Sequence, residues 1–243
     1  MPSTLHVGCA GWALPRAVQP AFPSEGTHLQ RYAARFTAVE INSSFHRPHT
    51  PTTYARWAAS VPDHFRFSVK TPKAITHERR LTDAESLLGE FLAQVSALGE
   101  KLGSLLIQLP PSLALDLATA ESFLVSLRGR HTGAVALEPR HPSWFNEEAA
   151  GLLEAHRIAR VAADPARVPA AGEPGGWAGT VYYRLHGSPR TYYSAYDEAY
   201  LRGLAVRLEE AAAGADDVWC IFDNTAMGAA TGNALTLLDA HPA

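Results

Sequence analysis

The stretch Gly133-Ala-Val-Ala-Leu-Glu-Pro-Arg140 and the segment 146–155 that follows it predict one unit of the fold. The first is a short apolar run of strand length, and the second has the apolar spacing of a helix. Units of this kind recur along the chain, which predicts a parallel sheet with helical crossovers. The runs that we expect to be strands are His6–Trp12, Ala38–Phe45, Arg66–Pro72, Ser104–Pro110, Gly133–Arg140, Arg157–Asp164, Thr180–Gly187 and Asp217–Asn224.

Helical patterns separate most of these runs. The clearest begins with a capping-box pattern at Thr82-Asp-Ala-Glu85 and continues to Leu98, and the others lie near 28–36, 51–60, 116–129, 146–155, 194–213 and 226–239. Only the segment 165–179 lacks a helix, and we expect it to be an irregular loop that covers a site. Eight strands with about seven helices favour a single α/β domain over residues 1–243, a (β/α)8 barrel of the TIM type. A doubly wound open sheet is the alternative.

The composition excludes several classes of protein. In 243 residues, 47% are hydrophobic and 19% charged, which is ordinary for a globular chain and excludes disorder. The net charge of −3 shows no bulk attraction to nucleic acid. Two distant cysteines, Cys9 and Cys220, and the lack of a long apolar stretch or leader pattern predict a cytoplasmic protein without membrane segments.

Side-chain alternation predicts which groups face the barrel interior. In the fifth run Val135 and Leu137 suit the helix side, which leaves Glu138 and Arg140 inward. The same rule applied to the other runs places inward Glu40, Asn42, Lys70, Gln108, Asp164, Arg184, His186 and Asp223. Polar groups at the C-terminal mouth of a barrel form its active site. A buried network of mutually neutralising charges is the competing interpretation.

We therefore expect an enzyme that binds a small anionic metabolite, which is phosphorylated, carboxylated or sugar-like. Lys70, Arg140 and Arg184 would bind the anion. The candidates for proton transfer are Glu40, Glu138, Asp164 and His186. Four further residues are expected to contact the substrate, namely Asn42, Gln108, Tyr192 and Asn224.

No cofactor is predicted, but a divalent metal is one alternative, with the ligands Glu138, Asp164, His186 and Asp223. Arg140 and Arg184 argue against it because they repel a cation and compete for the carboxylates. A second alternative is a metal-dependent phosphodiesterase or a protein acting on damaged DNA, whose basic surface would include Arg47, Arg79, Arg80 and Arg190. A third is a non-catalytic binding barrel. The substrate, the reaction type and the oligomeric state remain open at this stage.

Several motifs together resemble the YecE-like family, also called domain-of-unknown-function family 72. The resemblance covers nearly the whole chain and implies a TIM-type barrel, but it implies no established activity. The motifs are Gly8-Cys-Ala-Gly-Trp12, Val39-Glu-Ile-Asn-Ser-Ser-Phe45, Phe67-Ser-Val-Lys-Thr-Pro-Lys-Ala-Ile-Thr-His77, Gln108-Leu-Pro-Pro-Ser112, Glu138-Pro-Arg-His-Pro-Ser-Trp144, Tyr183-Arg-Leu-His-Gly187, Tyr192-Tyr193 and Asp223-Asn224-Thr225. The chain departs from the family pattern at His46, where Tyr is common, and at Asp223, where Asn is frequent.

Overall fold

A computed structural model describes residues 3–240, so the predicted domain limits at Met1 and Ala243 lie outside the described residues. Strands and helices alternate along most of the chain. The strands are β1 (Thr4–Cys9), β2 (Ala38–Ile41), β3 (Arg66–Lys70), β4 (Leu102–Gln108), β5 (Ala134–Glu138), β6 (Ala159–Arg160), β7 (Ala162–Asp164), β8 (Gly175–Gly176), β9 (Thr180–Leu185) and β10 (Asp217–Phe222). The helices are α1 (His28–Ala33), α2 (Pro51–Ala59), α3 (Glu85–Val95), α4 (Leu117–Arg128), α5 (Glu147–Ala155), α6 (Glu198–Ala212) and α7 (Ala229–Ala240).

Every predicted run overlaps a strand, but three local predictions are wrong. The sixth run divides into β6 and β7, which pair with different neighbours, and the expected loop 165–179 contains the short strand β8, antiparallel to β6. The capping box at Thr82 does not form, because Ala84 precedes α3 without a side-chain cap and Asp83 has a φ of 48°. A capping box does begin α1, between Thr27 and Gln30.

The strands form two sheets with the orders β1-β10-β9-β7 and β2-β3-β4-β5-β6-β8, so the fold is α/β with mostly parallel strands. All pairs are parallel except β6 with β8. One face of each sheet packs against the helices. The other faces, which we call the inner faces, contribute to one shared apolar cluster of Ala38, Leu106, Ala136, Ala159, Val161, Tyr182, Trp219 and Ile221.

Strands β1 and β2 belong to different sheets but lie side by side. A Cβ on Gly8 would overlap the carbonyl oxygen of Ala38, so the two backbones approach closely there. The hydroxyl of Tyr32 accepts from the Cys9 amide at 2.7 Å and donates to the Ala38 carbonyl at 3.1 Å. Ala10 forms a parallel bridge with Glu40. Side chains and one bridge thus connect the edge strands of the two sheets.

Cys9 and Cys220 are buried, unpaired, and part of the core between the sheets and the helices, as their alternation predicts. Burial raises the pKa of Cys9 to about 12, so this thiol is unreactive at neutral pH. None of the helices within residues 3–240 has the length and apolarity needed to cross a membrane.

Candidate functional site at the carboxyl ends of the strands

Charged side chains gather on the inner faces where the parallel strands end. β2 supplies Glu40, β3 supplies Lys70 and β5 ends at Glu138. β9 supplies Arg184, with His186 just beyond its end, and Asp223 follows β10. These residues retain at most 6% of their surface, and Arg140, two residues after β5, retains 14% of its side-chain surface. We call this set, with Arg140, the inner charge cluster. Its members are Glu40, Lys70, Glu138, Arg140, Arg184, His186 and Asp223.

Arg184 is the centre of the inner charge cluster. Its Nε and Nη2 donate to the two oxygens of Glu40 at 2.9 and 2.7 Å. Its Nη1 donates to Glu138 at 3.2 Å, and its Nη2 lies 3.0 Å from an oxygen of Asp223. Burial alone would lower the pKa of Arg184, but the three carboxylates hold it well above its usual value. One fixed guanidinium therefore neutralises carboxylates from β2, β5 and the end of β10.

Glu138 is fully buried and accepts from several donors. Arg140 approaches one of its oxygens at 2.7 and 2.8 Å, and Gln108 donates to the other at 3.0 Å. Burial would raise the pKa of this carboxyl, but His186, Arg140 and Arg184 hold it well below its usual range. Glu138 is therefore ionised at neutral pH and is a poor proton donor.

His186 lies between two carboxylates and one guanidinium. Its Nδ1 is 3.0 Å from Asp223, and its Nε2 is 2.9 Å from both Glu138 and Arg140. As an imidazolium it donates to both carboxylates. As a neutral ring with a proton on Nδ1 it donates to Asp223 and accepts from Arg140. The two protonation states thus use different hydrogen bonds within one arrangement of side chains.

Lys70 differs from the other cations of the inner charge cluster. Among residues 3–240, its ammonium group has neither a hydrogen bond nor a carboxylate within 4 Å, and it lies 4.2 Å from the centre of the Phe45 ring. Burial first, and then the charge of Arg184, lowers the pKa of Lys70 to about 8. The carboxylates that could pair with it are bonded to arginines. Mutual neutralisation therefore describes the arginines and carboxylates well, but not Lys70.

The lowered pKa of Lys70 predicts that Lys70→Met stabilises the protein. The unfolded chain holds this proton up to about pH 10.5 and the folded chain only up to about pH 8, so folding carries the full cost of the charge below pH 8. We expect Lys70→Met to raise the free energy of unfolding at pH 7 by about 2–3 kcal/mol, measured by urea denaturation. The gain should disappear above pH 10.5. Lys73→Met, at an exposed ion pair with Glu78, is the control and should change little. Equal stabilities of wild type and Lys70→Met would contradict the prediction.

Asp164 does not join the inner charge cluster, and its predicted inward orientation is wrong. Residues paired across a parallel ladder point to the same face, and Asp164 pairs with the helix-facing Leu185, whereas Ala163 pairs with Arg184. Its carboxylate accepts from the Tyr196 hydroxyl at 2.8 Å on the helix side. The sixth run changes partners between β6 and β7, so its inward row is Ala159, Val161 and Ala163.

The orientation of Asp164 also removes the predicted set of four metal ligands. Glu138, His186 and Asp223 do lie together, but Arg140 and Arg184 bond to the same carboxylate oxygens. Among residues 3–240, the structure holds no group of three or more His, Cys, Asp or Glu side chains arranged to hold a metal ion.

The remaining predicted contacts lie around the edge of the cluster. Asn42 is partly exposed beside a cavity of about 430 Å³, and its buried Oδ1 has no partner among the described residues. The Tyr192 ring meets His186 edge-on at 5.7 Å between ring centres. Asn224 instead points away, because its amide donates to Asn233 and to the carbonyl of Ser194. Of the arginines considered for nucleic acid, Arg80 bonds to Ser112 and Arg190 stacks on Tyr193.

Four further residues shape the site, and two of them, Ser68 and Phe45, were not predicted from the sequence. The Tyr182 hydroxyl lies within hydrogen-bond distance of Ser68 Oγ, at 2.9 Å, and of Glu40, at 3.2 Å. Alternation places Tyr182 inward with Arg184, and the same rule could have identified Ser68, which shares the inward row of Lys70. Phe45 and His77 lie beyond the strands, where alternation gives no information. The ring of Phe45 lies edge-on to the ring of His77, with 4.9 Å between the ring centres, and it also contacts the ammonium group of Lys70.

Comparisons with known proteins identify relatives across most of the chain. A family model described as "Protein of unknown function DUF72" matches residues 6–242. UPF0759 protein YecE of Escherichia coli K12 is 32% identical over 142 residues, which cover 58% of this chain and 50% of that protein. The chain thus spans about half the length of that relative. UPF0759 protein YunF of Bacillus subtilis strain 168 is 22% identical, with 97% of this chain and 94% of that protein covered.

Two solved structures share the fold. A DUF72 family protein from Enterococcus faecalis matches with a TM-score of 0.83 at 20% identity, over 98% of this chain and 95% of that one. Another, from Thermotoga maritima, matches with a TM-score of 0.78 at 25% identity, over 97% of this chain and 98% of that one. The resemblance noted in the sequence motifs is confirmed.

Proposed function

Since this chain belongs to the DUF72 family, which is described as being of unknown function, we propose its function from its own residues: it is an enzyme that binds a small anionic metabolite where its strands end. The observation that carries the proposal is the unpaired ammonium of Lys70. A buried cation without a partner is costly, and a carboxylate or phosphate from solution would supply the missing charge.

Arg140 is proposed as the second contact of the anion. Its Nε and Nη2 are bound to Glu138 and His186, which leaves its Nη1 without a partner among the described residues. Held in this way, the guanidinium is fixed in place before any ligand arrives, so little side-chain entropy is lost on binding. Lys70 and Nη1 of Arg140 then offer one point charge and one directed donor.

The candidate residues for proton transfer are proposed to differ in their roles. Both oxygens of Glu40 accept from Arg184, and Tyr182 also donates to one of them, so we assign Glu40 to positioning Arg184. His186 can exchange a proton with Asp223 or Glu138 through direct hydrogen bonds. Lys70, with a pKa of about 8, can exchange protons near neutral pH.

We further propose that the two sheets form one (β/α)8 barrel, with this site at its mouth. The support is the contact at each boundary between the sheets. At one boundary the Gly11 amide donates to the Glu40 carbonyl at 2.9 Å. At the other, the Val161 amide donates to the Leu137 carbonyl at 2.9 Å, just before β7 crosses to β9. The reaction is proposed to occur in the reducing cytoplasm, where the free thiols Cys9 and Cys220 persist.

The test measures the binding of inorganic phosphate, by chemical-shift changes or by calorimetry. Wild type should bind phosphate at pH 7, and Lys70→Met should lower the affinity by at least about tenfold. A tenfold loss corresponds to about 1.4 kcal/mol of binding free energy, which is a modest loss for removing a buried charged contact. Binding should weaken as the pH rises past about 8, because the ammonium loses its charge. Lys73→Met is the control and should bind like wild type. Affinity that is the same in all three proteins would overturn the proposal.

A further inference from the structure

We propose that the amine of Lys70 is a nucleophile that forms an imine with an aldehyde or ketone carrying the anionic group, so that the substrate class is small carbonyl compounds such as 2-oxo acids or phosphorylated carbonyls. This inference rests on the proposed function, because it uses the same anion site. An imine-forming lysine needs an amine whose proton is not held by an ion pair, and burial or a neighbouring cation then lets it lose that proton near neutral pH.

The position of Lys70 meets the first requirement. Its Nζ has no acceptor among the described residues, since Arg184 and Arg140 bind the neighbouring carboxylates. The contact with Phe45 is with a ring face, which holds the amine in place but does not occupy its lone pair. The amine is also absent from the fully buried, unpartnered polar atoms of residues 3–240, so part of its surface is exposed although the whole residue is only 6% exposed. The side chain is thus held by packing against Phe45, and its amine is unpaired and in part exposed.

The surrounding charges favour the product of the reaction. With Lys70 neutral, the three carboxylates of Glu40, Glu138 and Asp223 face only the two guanidiniums of Arg140 and Arg184. An iminium ion at Lys70 restores the balance. Fixed carboxylates near a developing positive charge stabilise it without reorganisation. The cluster is therefore arranged to favour conversion of a neutral amine and a carbonyl into a cation.

The reaction balances with no further reactant. The lone pair of the neutral amine attacks the carbonyl carbon, a C–N bond forms, and the carbonyl π electrons move to oxygen, which takes the proton that nitrogen loses. The nitrogen lone pair then expels this hydroxyl group, which leaves as water with one proton from solvent. The product is a protonated imine, whose anionic group stays with Arg140.

The chain has only three lysines, Lys70, Lys73 and Lys101, which makes the experiment selective. Glyoxylate and sodium cyanoborohydride are incubated with the whole protein, and the carboxymethyl adducts are located by peptide mass mapping. We expect Lys70 to react at least about tenfold faster than the other two at pH 7, because its pKa of about 8 leaves far more free amine than an ordinary lysine has. Lys73 has an exposed ion pair with Glu78, and Lys101 donates to the Pro62 carbonyl.

Two variants separate this inference from the proposed function. Lys70→Arg keeps the positive charge but cannot form an imine, so it should bind phosphate and show no selective adduct. Lys70→Met should lose both. Phosphate binding together with equal labelling of all three lysines would overturn the imine and leave the anion site intact. If both variants still bind phosphate and wild type forms no selective adduct, both proposals are overturned.

Discussion

Replacing Arg184 with methionine is expected to lower the free energy of unfolding at pH 7 by about 5 kcal/mol, the upper end of the range for breaking a buried ion pair. Arg184 is fully buried and contacts Glu40, Glu138 and Asp223. Its loss leaves Glu40 with the Tyr182 hydroxyl as its side-chain donor. Few single substitutions in this chain remove so many charged contacts at once.

The pKa shifts of the carboxylates determine how the stability lost in Arg184→Met depends on pH. In wild type the pKa values of Glu138 and Asp223 lie below their usual range, so stability is present above the unfolded pKa values and is lost as the pH falls through the folded ones. Without Arg184, the pKa values of Glu138 and Asp223 rise because fewer cations oppose the effect of burial, so the variant loses less stability than wild type as the pH falls. The difference between the proteins should therefore be larger at pH 7 than at pH 4.5.

Urea denaturation at the two pH values measures this difference. Arg202→Met, at an exposed ion pair with Glu198, is the control and should cost less than about 1 kcal/mol. Arg184→Lys keeps the charge but lacks the planar fork that binds both oxygens of Glu40, so its stability should be intermediate, and it remains measurable if the methionine variant does not fold. Arg184→Met that is as stable as Arg202→Met would show that the network does not hold the inner faces together.

Alternation along strands was enough to place most of the inner charge cluster. Glu40, Lys70, Glu138, Arg184 and Asp223 face inward because period-two alternation survives in regular parallel strands. The rule failed at Asp164, because the sixth strand changes partners and a change of partner is set by tertiary pairing. Alternation gives no information beyond the strand ends, which is why the contact of Phe45 with Lys70 was not predicted.

The sequence also does not determine which cations and carboxylates of the inner charge cluster pair with one another. A count of inward charges gives three cations and three nearby carboxylates, but it does not say which cation is left over. Guanidiniums bind carboxylates through two directed donors, and an ammonium competes poorly at the same oxygens. Arg184 on β9 bonds to Glu40 on β2, and Lys70 is left unpaired as a result. This contact between two strands forms only in the folded chain.

Replacing Glu138 with glutamine should cost about 3–4 kcal/mol at pH 7, because a buried charge with several cationic neighbours is lost. One glutamine oxygen cannot accept from Arg140, Arg184 and Gln108 together, and its amide hydrogens face donors. The cost should shrink below about pH 4.5, since the wild-type carboxyl contributes its stability only while it is ionised and pH falling through its lowered pKa removes it. Urea denaturation at pH values from 7 to below about 4.5 measures the difference in the free energy of unfolding between wild type and Glu138→Gln. The control is Glu121→Gln, at an exposed position.

The same variant separates a purely structural Glu138 from one that adjusts Lys70. The charge of Glu138 helps to keep the proton on Lys70, so Glu138→Gln lowers the pKa of that amine further below about 8. Phosphate binding should then weaken at a lower pH than in wild type, and selective labelling by glyoxylate should begin at a lower pH. A loss of stability with both pH midpoints unchanged would contradict this coupling, because a carboxylate that only packs the inner faces together has no means of moving the titration of Lys70.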